Sequence, residues 1–275
     1  MNKAQLYVEL SKKNEKDAER VFKKCAGIVK WKDDCAVLDI GCGPGNVTNN
    51  ALVPALPKAA LIVGIDKQGA LVDYANAKYA TNDSRLKFEN VDVVSDGAFV
   101  ANHREVFHHI FSFYCFHFVR ELELALRNIY TMLKPGGSFA FTCSMHNNFF
   151  SIMSHMAKME KWTPHISQYE NYLNPYESTP HPDEDIRAVL LKVGFQVMDI
   201  TMDPHHWKIP FADASEFVVS RVPFELPGEI QREFGSESAD VIRALRLNDV
   251  DENGTECYNL KFTALECLAV KPPLV

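Results

Sequence analysis

Five segments of the chain, 36–40, 61–65, 86–93, 106–114 and 137–142, are rich in Val, Ile, Leu and Phe, and sequence of helical period separates them. Runs of this length and content predict strands of a sheet covered on both faces. Leu71, Tyr74, Ala75, Lys78 and Tyr79 suit one intervening helix. Leu122, Ala125, Leu126, Ile129, Met132 and Leu133 recur at the i, i+3/i+4, i+7 spacing of another. Lys134-Pro135-Gly136-Gly137 ends that helix, because proline disfavours a helical predecessor and glycine supplies positive φ. The alternation predicts an α/β fold with a parallel sheet and right-handed crossovers.

Ahead of the sheet, Ala18, Val21, Phe22, Cys25, Ile28 and Val29 predict an amphipathic helix behind a polar leader, the two filling 1–34. Residues 35–143 hold the first strands and 144–275 complete the sheet, with strands at 195–201 and 258–270. Two stretches, 144–182 and 203–257, run to about 40–55 residues, well beyond ordinary connections. Insertions of that size carry pockets or lids. There is no internal repeat, so one domain with a helical substrate cap is the economical reading.

Composition narrows the function classes. Apolar residues make up 47% and charged residues 24%, which excludes a disordered chain. Net charge is −7 with no basic run, so a nucleic-acid partner is not expected. The longest uncharged stretch, 135–157, is too polar for a membrane span, and residues 1–16 lack the apolar core of a secretory signal. Seven cysteines without a CxxC pair fit reduced thiols in a cytoplasmic protein, with neither a disulfide framework nor a metal site. The paired histidines His108-His109 and His205-His206 would point to opposite faces of a strand, so neither pair alone chelates a metal. The acidic stretch 233–237 reads as a solvated face.

The strongest local signal is Val37-Leu38-Asp39-Ile40-Gly41-Cys42-Gly43-Pro44-Gly45, a buried strand running into alternating glycines. Missing Cβ atoms let backbone approach a ligand closely, and the carboxyl end of a strand in an open α/β sheet is where cofactors bind. A dinucleotide fingerprint wants a third glycine where Asn46 stands, and a P-loop wants Gly-Lys-Ser/Thr, which is absent. The stretch resembles the acidic-Gly-x-Gly-x-Gly signature of class I methyltransferases. That resemblance implies S-adenosylmethionine as cofactor, S-adenosylhomocysteine as its product, and a Rossmann-like, mostly parallel seven-stranded sheet with helices on both faces. Asp66 ends the second strand 25 residues after Gly41 and suits the ribose hydroxyls. Asp92 suits the adenine amino group, with Lys67 and Val93 beside these carboxylates. Asp39 is expected near the aminoacyl end, where a carboxylate suits a cation, and Cys42 lies within the turn, beside Gly41 and Gly43.

More specific segments extend along the chain: Met1-Asn2, Leu6-Tyr7, Lys30-Trp31-Lys32, Phe111-Ser112-Phe113-Tyr114 with His117, Arg127-Asn128-Ile129 and Glu160-Lys161-Trp162. Val193-Gly194-Phe195, Asp240-Val241-Ile242-Arg243, Arg246-Leu247 and Lys261-Phe262 follow. On these, from residue 1 to about 270, the chain resembles the insect juvenile hormone acid methyltransferases. The resemblance implies methyl transfer to the carboxylate of a small isoprenoid acid, farnesoic or juvenile hormone acid, giving a methyl ester. A carboxylate is already a nucleophile, so the site need only orient one oxygen and exclude water. An apolar tunnel is expected, lined by Phe149, Phe150, Met153, Met156, Met159, Trp162, Tyr169 and Tyr172. A homodimer is compatible with these apolar insertions.

Two positions depart from the family. Where its pattern has a glutamine in the leader and a tryptophan after the fourth strand to hold the carboxylate, this chain has Asn14 and Phe118. Asparagine keeps an amide donor on a shorter stem, and phenylalanine has no donor. His117 is the candidate replacement. Three readings stay open: a carboxyl methyltransferase, a divergent paralogue that binds cofactor with weak or no carboxyl methylation, and a methyltransferase with another acceptor.

Overall fold

The computed structural model describes residues 3–274 except Ser167 and Glu225; Met1 and Asn2, part of the resemblance above, lie outside the described residues. The strands are β1 (Ala36–Ile40), β2 (Leu61–Asp66), β3 (Leu86–Asn90), β4 (Phe107–Phe113), β5 (Leu133–Met145), β6 (Gln196–Pro210), β7 (Asn248–Val250) and β8 (Glu256–Val270). They form one sheet in the order β3-β2-β1-β4-β5-β8-β6, the seven-strand path expected, with the short β7 added on β8. Strands β3, β2, β1, β4 and β5 pair in parallel, and β8 runs against its neighbours β5, β6 and β7.

Both faces are covered, as continuous apolar strands demand. On β1, Leu38 and Ile40 join Ile110, Phe139 and Phe141 beneath the helices Leu122–Met132 and Pro182–Val193. Val37, from the alternate side of the pleat, packs with Ile62 and Phe111 against Ala18, Val21, Phe22 and Cys25. A third apolar cluster lies outside the sheet. It joins Phe150, Met153 and Trp162 of the first insertion to Phe217 and Phe234 of the second, with Tyr258 of β8. No helix among the described residues is long and apolar enough to cross a membrane.

Three boundaries differ from the sequence pattern. The leader is helical: α1 (Lys3–Leu10) precedes α2 (Lys12–Ala26), and Asn14 through Cys25 present one buried face. β3 stops at Asn90, because the Asp92 carboxylate accepts the Val94 N–H at 2.9 Å and turns the chain out of the sheet. β6 and β8 run on as a long antiparallel ribbon, from Gln196↔Val270 to Pro210↔Cys257. His205 and Trp207 pack on Phe262 across that ribbon, so polar-looking sequence is strand here. The helical part of the second insertion therefore begins at Phe211.

The N-terminal helices are pinned over the glycine turn. Asn46, fully buried where a dinucleotide site would have glycine, donates to Ser11 Oγ at 3.0 Å and Glu15 Oε1 at 2.6 Å. The Tyr114 hydroxyl donates to Asp17 at 2.6 Å, Lys24 pairs with Asp199 at 2.6 Å, and Arg20 pairs with Glu266. Asn46→Ala deletes both amide bonds and leaves Ser11 and Glu15 without that donor. It should lower stability by about 1–3 kcal/mol, read as a fall of several degrees in melting temperature; an unchanged melt would show that the Asn46 bonds do not help hold α2.

Candidate active site

Above the carboxyl ends of the parallel strands lies a cavity of about 600 Å³, within the ~300–1,000 Å³ usual for small-molecule sites. Gly41, Gly43, Asp66, Lys67, Asp92 and Val93 line one part of it; Tyr7, Asn14, His117, Phe118 and Arg221 line another. Gly41 has φ +72°, and a Cβ there would run into the Cys115 side chain. Gly43, at φ +55°, donates its N–H to Asp66 Oδ2 at 2.9 Å, while the Gln68 N–H donates to Oδ1 at 2.8 Å. Each carboxylate oxygen keeps a further acceptor position. Burial raises the Asp66 pKa against the opposing pull of those two donors.

Asp39 and Cys42 are set back from the cavity, contrary to the expected ligand contacts: neither is among its lining residues. The pleat explains Asp39. It shares Val37's side of β1 and, only 2% exposed, accepts the Thr48 hydroxyl at 2.6 Å. Burial lifts its pKa to about 7. Cys42 is buried in the space that Gly64 leaves free on β2. Lys67 reaches across to the first insertion, with its ammonium 4.9 Å from the Tyr172 ring centre.

At the other part of the cavity, Asn14 Nδ2 donates to the Tyr7 hydroxyl at 3.3 Å, and its Oδ1 is buried without a partner. His117 stands in the 3₁₀ turn Phe116–Phe118 rather than at a strand end. Burial lowers its pKa to about 3, so the ring is neutral. Its Nδ1 accepts the Ser144 N–H at 3.4 Å, which puts the ring proton on Nε2 as a donor. Phe118 lies beside His117, ring centres 4.2 Å apart and planes tilted by 52°, and meets Phe150 edge-on at 6.0 Å, giving wall and no donor.

Of the aromatic and methionine residues expected to line a tunnel, Phe149, Phe150 and Tyr172 do. Met153, Met156, Trp162 and Tyr169 are buried in the cap's own core, and Met159 packs against it. Trp162 Nε1 donates to Glu237, and Lys161 pairs with Glu233 at 2.6 Å and with Glu237, so the acidic stretch ties the two insertions together. Tyr7, Trp207, Phe217, Arg221 and Phe262 also line the cavity. Sequence patterning could not single them out: they come from α1, the ribbon and the helix Phe211–Arg221, and only folding gathers them.

Residues 37–137 match a family described as a methyltransferase domain. Juvenile hormone acid O-methyltransferase of Bombyx mori is 28% identical over 95% of this chain and 94% of its own. The Drosophila melanogaster enzyme of that name is 26% identical over 99% and 93%. Along nearly its whole length the chain is similar to these juvenile hormone acid O-methyltransferases, and residues 37–137 form a methyltransferase domain. The YcgJ protein of Bacillus subtilis shares the fold, with a TM-score of 0.57 and 15% identity across 93% of this chain and 99% of its own. With that domain and those relatives, the chain is an S-adenosylmethionine-dependent methyltransferase. The cavity fits that cofactor: a glycine cradle, a carboxylate fixed by two backbone donors, and apolar walls from Ile40, Leu71 and Val91.

Two outcomes are expected. Asp66→Ala should weaken S-adenosylhomocysteine binding about 30- to 150-fold, measured by calorimetric titration; unchanged affinity would remove Asp66 from the site. Asp39 is protonated up to about pH 7 in the fold and only to about pH 3.9 in an unfolded chain. The native state therefore retains a proton that the unfolded state releases. The stability tied to this group is full below about pH 4 and is lost as pH rises to about 7. Asp39→Asn cannot titrate, so it should gain on the wild type between about pH 5 and 7, by roughly 1–3 kcal/mol, and hold that gain above. Melts across this range would show a pH-independent difference if Asp39 were ionised throughout.

Proposed function

We infer that this chain methylates the carboxylate of a small isoprenoid acid, farnesoic or juvenile hormone acid, to give the methyl ester. One observation carries the choice of a carboxylate. Around Asn14, the polar side chains Tyr7, His117 and Arg221 are donors or neutral groups; the carboxylates lining the cavity are Asp66 and Asp92, with the glycine turn, and Glu121, exposed at the start of the helix Leu122–Met132. Burial keeps Tyr7 protonated, and the accepting nitrogen of His117 is already engaged. An alcohol or amine acceptor needs a base to lose its proton, whereas a carboxylate does not.

S-adenosylmethionine, when bound, supplies an electrophilic methyl group. Asp66 would hold its ribose hydroxyls and Asp92 its adenine amino group. His117 Nε2–H and the Asn14 amide are the donors that can orient an acceptor oxygen. Phe118, Phe150, Trp207 and Phe262 give the apolar wall that an isoprenoid chain requires and that keeps water out. The relatives' names and these aromatic walls support the isoprenoid class.

A second reading, cofactor binding with weak or no turnover, is favoured by the short amide of Asn14, with one N–H already given to Tyr7, and the donorless ring of Phe118. Mass-spectrometric detection of methyl esters from farnesoic and juvenile hormone acids, beside S-adenosylmethionine affinity, separates the two. Asn14→Gln with Phe118→Trp should raise kcat/KM for farnesoic acid at least about tenfold, since each charge-assisted bond is worth about 1.5–3 kcal/mol. Each single variant should do less than the pair. A folded double variant that binds cofactor and esterifies neither acid would overturn the isoprenoid assignment.

A further inference from the structure

Arg221 ends the helix Phe211–Arg221 and lines the cavity that also holds Asn14. Its guanidinium donates to Ser220 Oγ and to the Leu10 carbonyl, each at 2.9 Å. That uses two of its five N–H groups and leaves three. The Phe217 ring lies 3.7 Å from the guanidinium carbon and the Tyr7 ring 5.2 Å, so the planar group is wedged between aromatics. Ser220 is itself fixed, its hydroxyl donating to the Phe217 carbonyl at 2.8 Å.

What Arg221 lacks is a counter-charge. Arg20, Arg85, Arg127 and Arg243 each sit against a carboxylate. The titratable groups that act on Arg221 are the hydroxyls of Tyr7 and Tyr258, which burial keeps protonated and neutral, and it has no carboxylate partner among the described residues. Burial lowers its pKa to about 10, which still leaves it protonated at neutral pH. A half-buried cation with unspent donors, lining a cavity, gains most when an anion enters beside it. It is also linked to the position where the family holds its acid: Asn14 bonds Tyr7, and Tyr7 faces Arg221.

We propose that Arg221 determines specificity for an anionic acceptor, its guanidinium pairing with the carboxylate of an apolar monocarboxylic acid. The proposal rests on the carboxyl-methylation reading and extends it. A positive fork supplies the charge recognition that Asn14 and Phe118 do not. One carboxylate oxygen takes the pair and the other stays free to be methylated. The ester carries no charge, so it forfeits the ion pair and leaves more readily than the acid.

The test is calorimetric binding in the presence of S-adenosylhomocysteine, with farnesoic acid, methyl farnesoate and dodecanoic acid as probes. Wild type should bind farnesoic acid at least about 10-fold more tightly than its methyl ester. Arg221→Met should weaken acid binding about 10- to 100-fold, bring acid and ester within about threefold of each other, and leave S-adenosylhomocysteine affinity little changed. Arg221→Lys, which keeps the charge without the fork, should retain part of the preference. If Arg221→Met does not fold, Arg221→Lys decides: a preference equal to wild type overturns the proposal. So does a folded Arg221→Met that still prefers acid to ester, or a wild type that binds neither acid. If wild type binds dodecanoic acid but not farnesoic acid, and Arg221→Met abolishes this, Arg221 keeps its role and the isoprenoid assignment falls.

Discussion

Asp66 is gripped by two backbone N–H groups from different segments, and the cofactor side of the molecule takes its shape from that grip. The Gly43 N–H comes from the turn after β1, and the Gln68 N–H comes from the loop after β2. Gly41 and Cys42 add their own N–H bonds to the Ile65 carbonyl, at 2.8 and 3.0 Å. The end of β2 therefore templates the glycine turn before any ligand arrives, and a preorganised site loses less entropy on binding. Asn46, the first residue beyond the glycines, carries the constraint outward to Ser11 and Glu15, so α2 closes over the turn.

The two parts of the cavity solve opposite electrostatic problems. Asp66 and Asp92 present carboxylate acceptors in one part, whereas Arg221, His117 and Tyr7 present donors in the other. Each donor is held by packing rather than by an acid: Arg221 between rings, His117 against Phe118 and Phe150, and Tyr7 by the Asn14 amide. Tyr114 at the end of β4 takes φ 53°, a strained setting for a bulky residue. Its hydrogen bond to Asp17 couples the strand end to α2. The same helix thus supplies Asn14 to the cavity and secures its wall.

The parallel half of the sheet was legible because its strands are apolar on both faces, and the cofactor class because glycines and strand-end carboxylates fall at fixed spacing. Asp66 and Asp92, picked out by that spacing, line the cavity. Asp39 was misplaced because a strand-end motif does not say which side of the pleat a residue takes; here Thr48 holds it away from the cavity. The ribbon of β6 and β8 was foreshortened because Pro204, His205 and His206 dilute its apolar alternation. The tunnel was drawn too heavily on the first insertion. Helical packing gives most of those side chains to the cap's own core, and the cavity takes Trp207, Phe217 and Phe262 instead.

Arg221 was invisible for a related reason. In sequence it is one basic residue at the end of an amphipathic helix, a place where a cation ordinarily meets solvent and the helix dipole. The fold turns that helix end inward, against Leu10 of the N-terminal segment, and replaces solvent with Phe217 and Tyr7. A surface charge becomes a half-buried, cavity-lining one through the docking of α1, without any change in local pattern. The same docking places Tyr7 between Arg221 and Asn14, so a shortened amide at position 14 still couples to the cation through one ring. On the proposed carboxyl-methylation reading, loss of the longer amide and of an indole donor still leaves the acceptor a recognition group in Arg221. The charge-recognising function can pass to a residue that the fold, rather than the motif, brings into place.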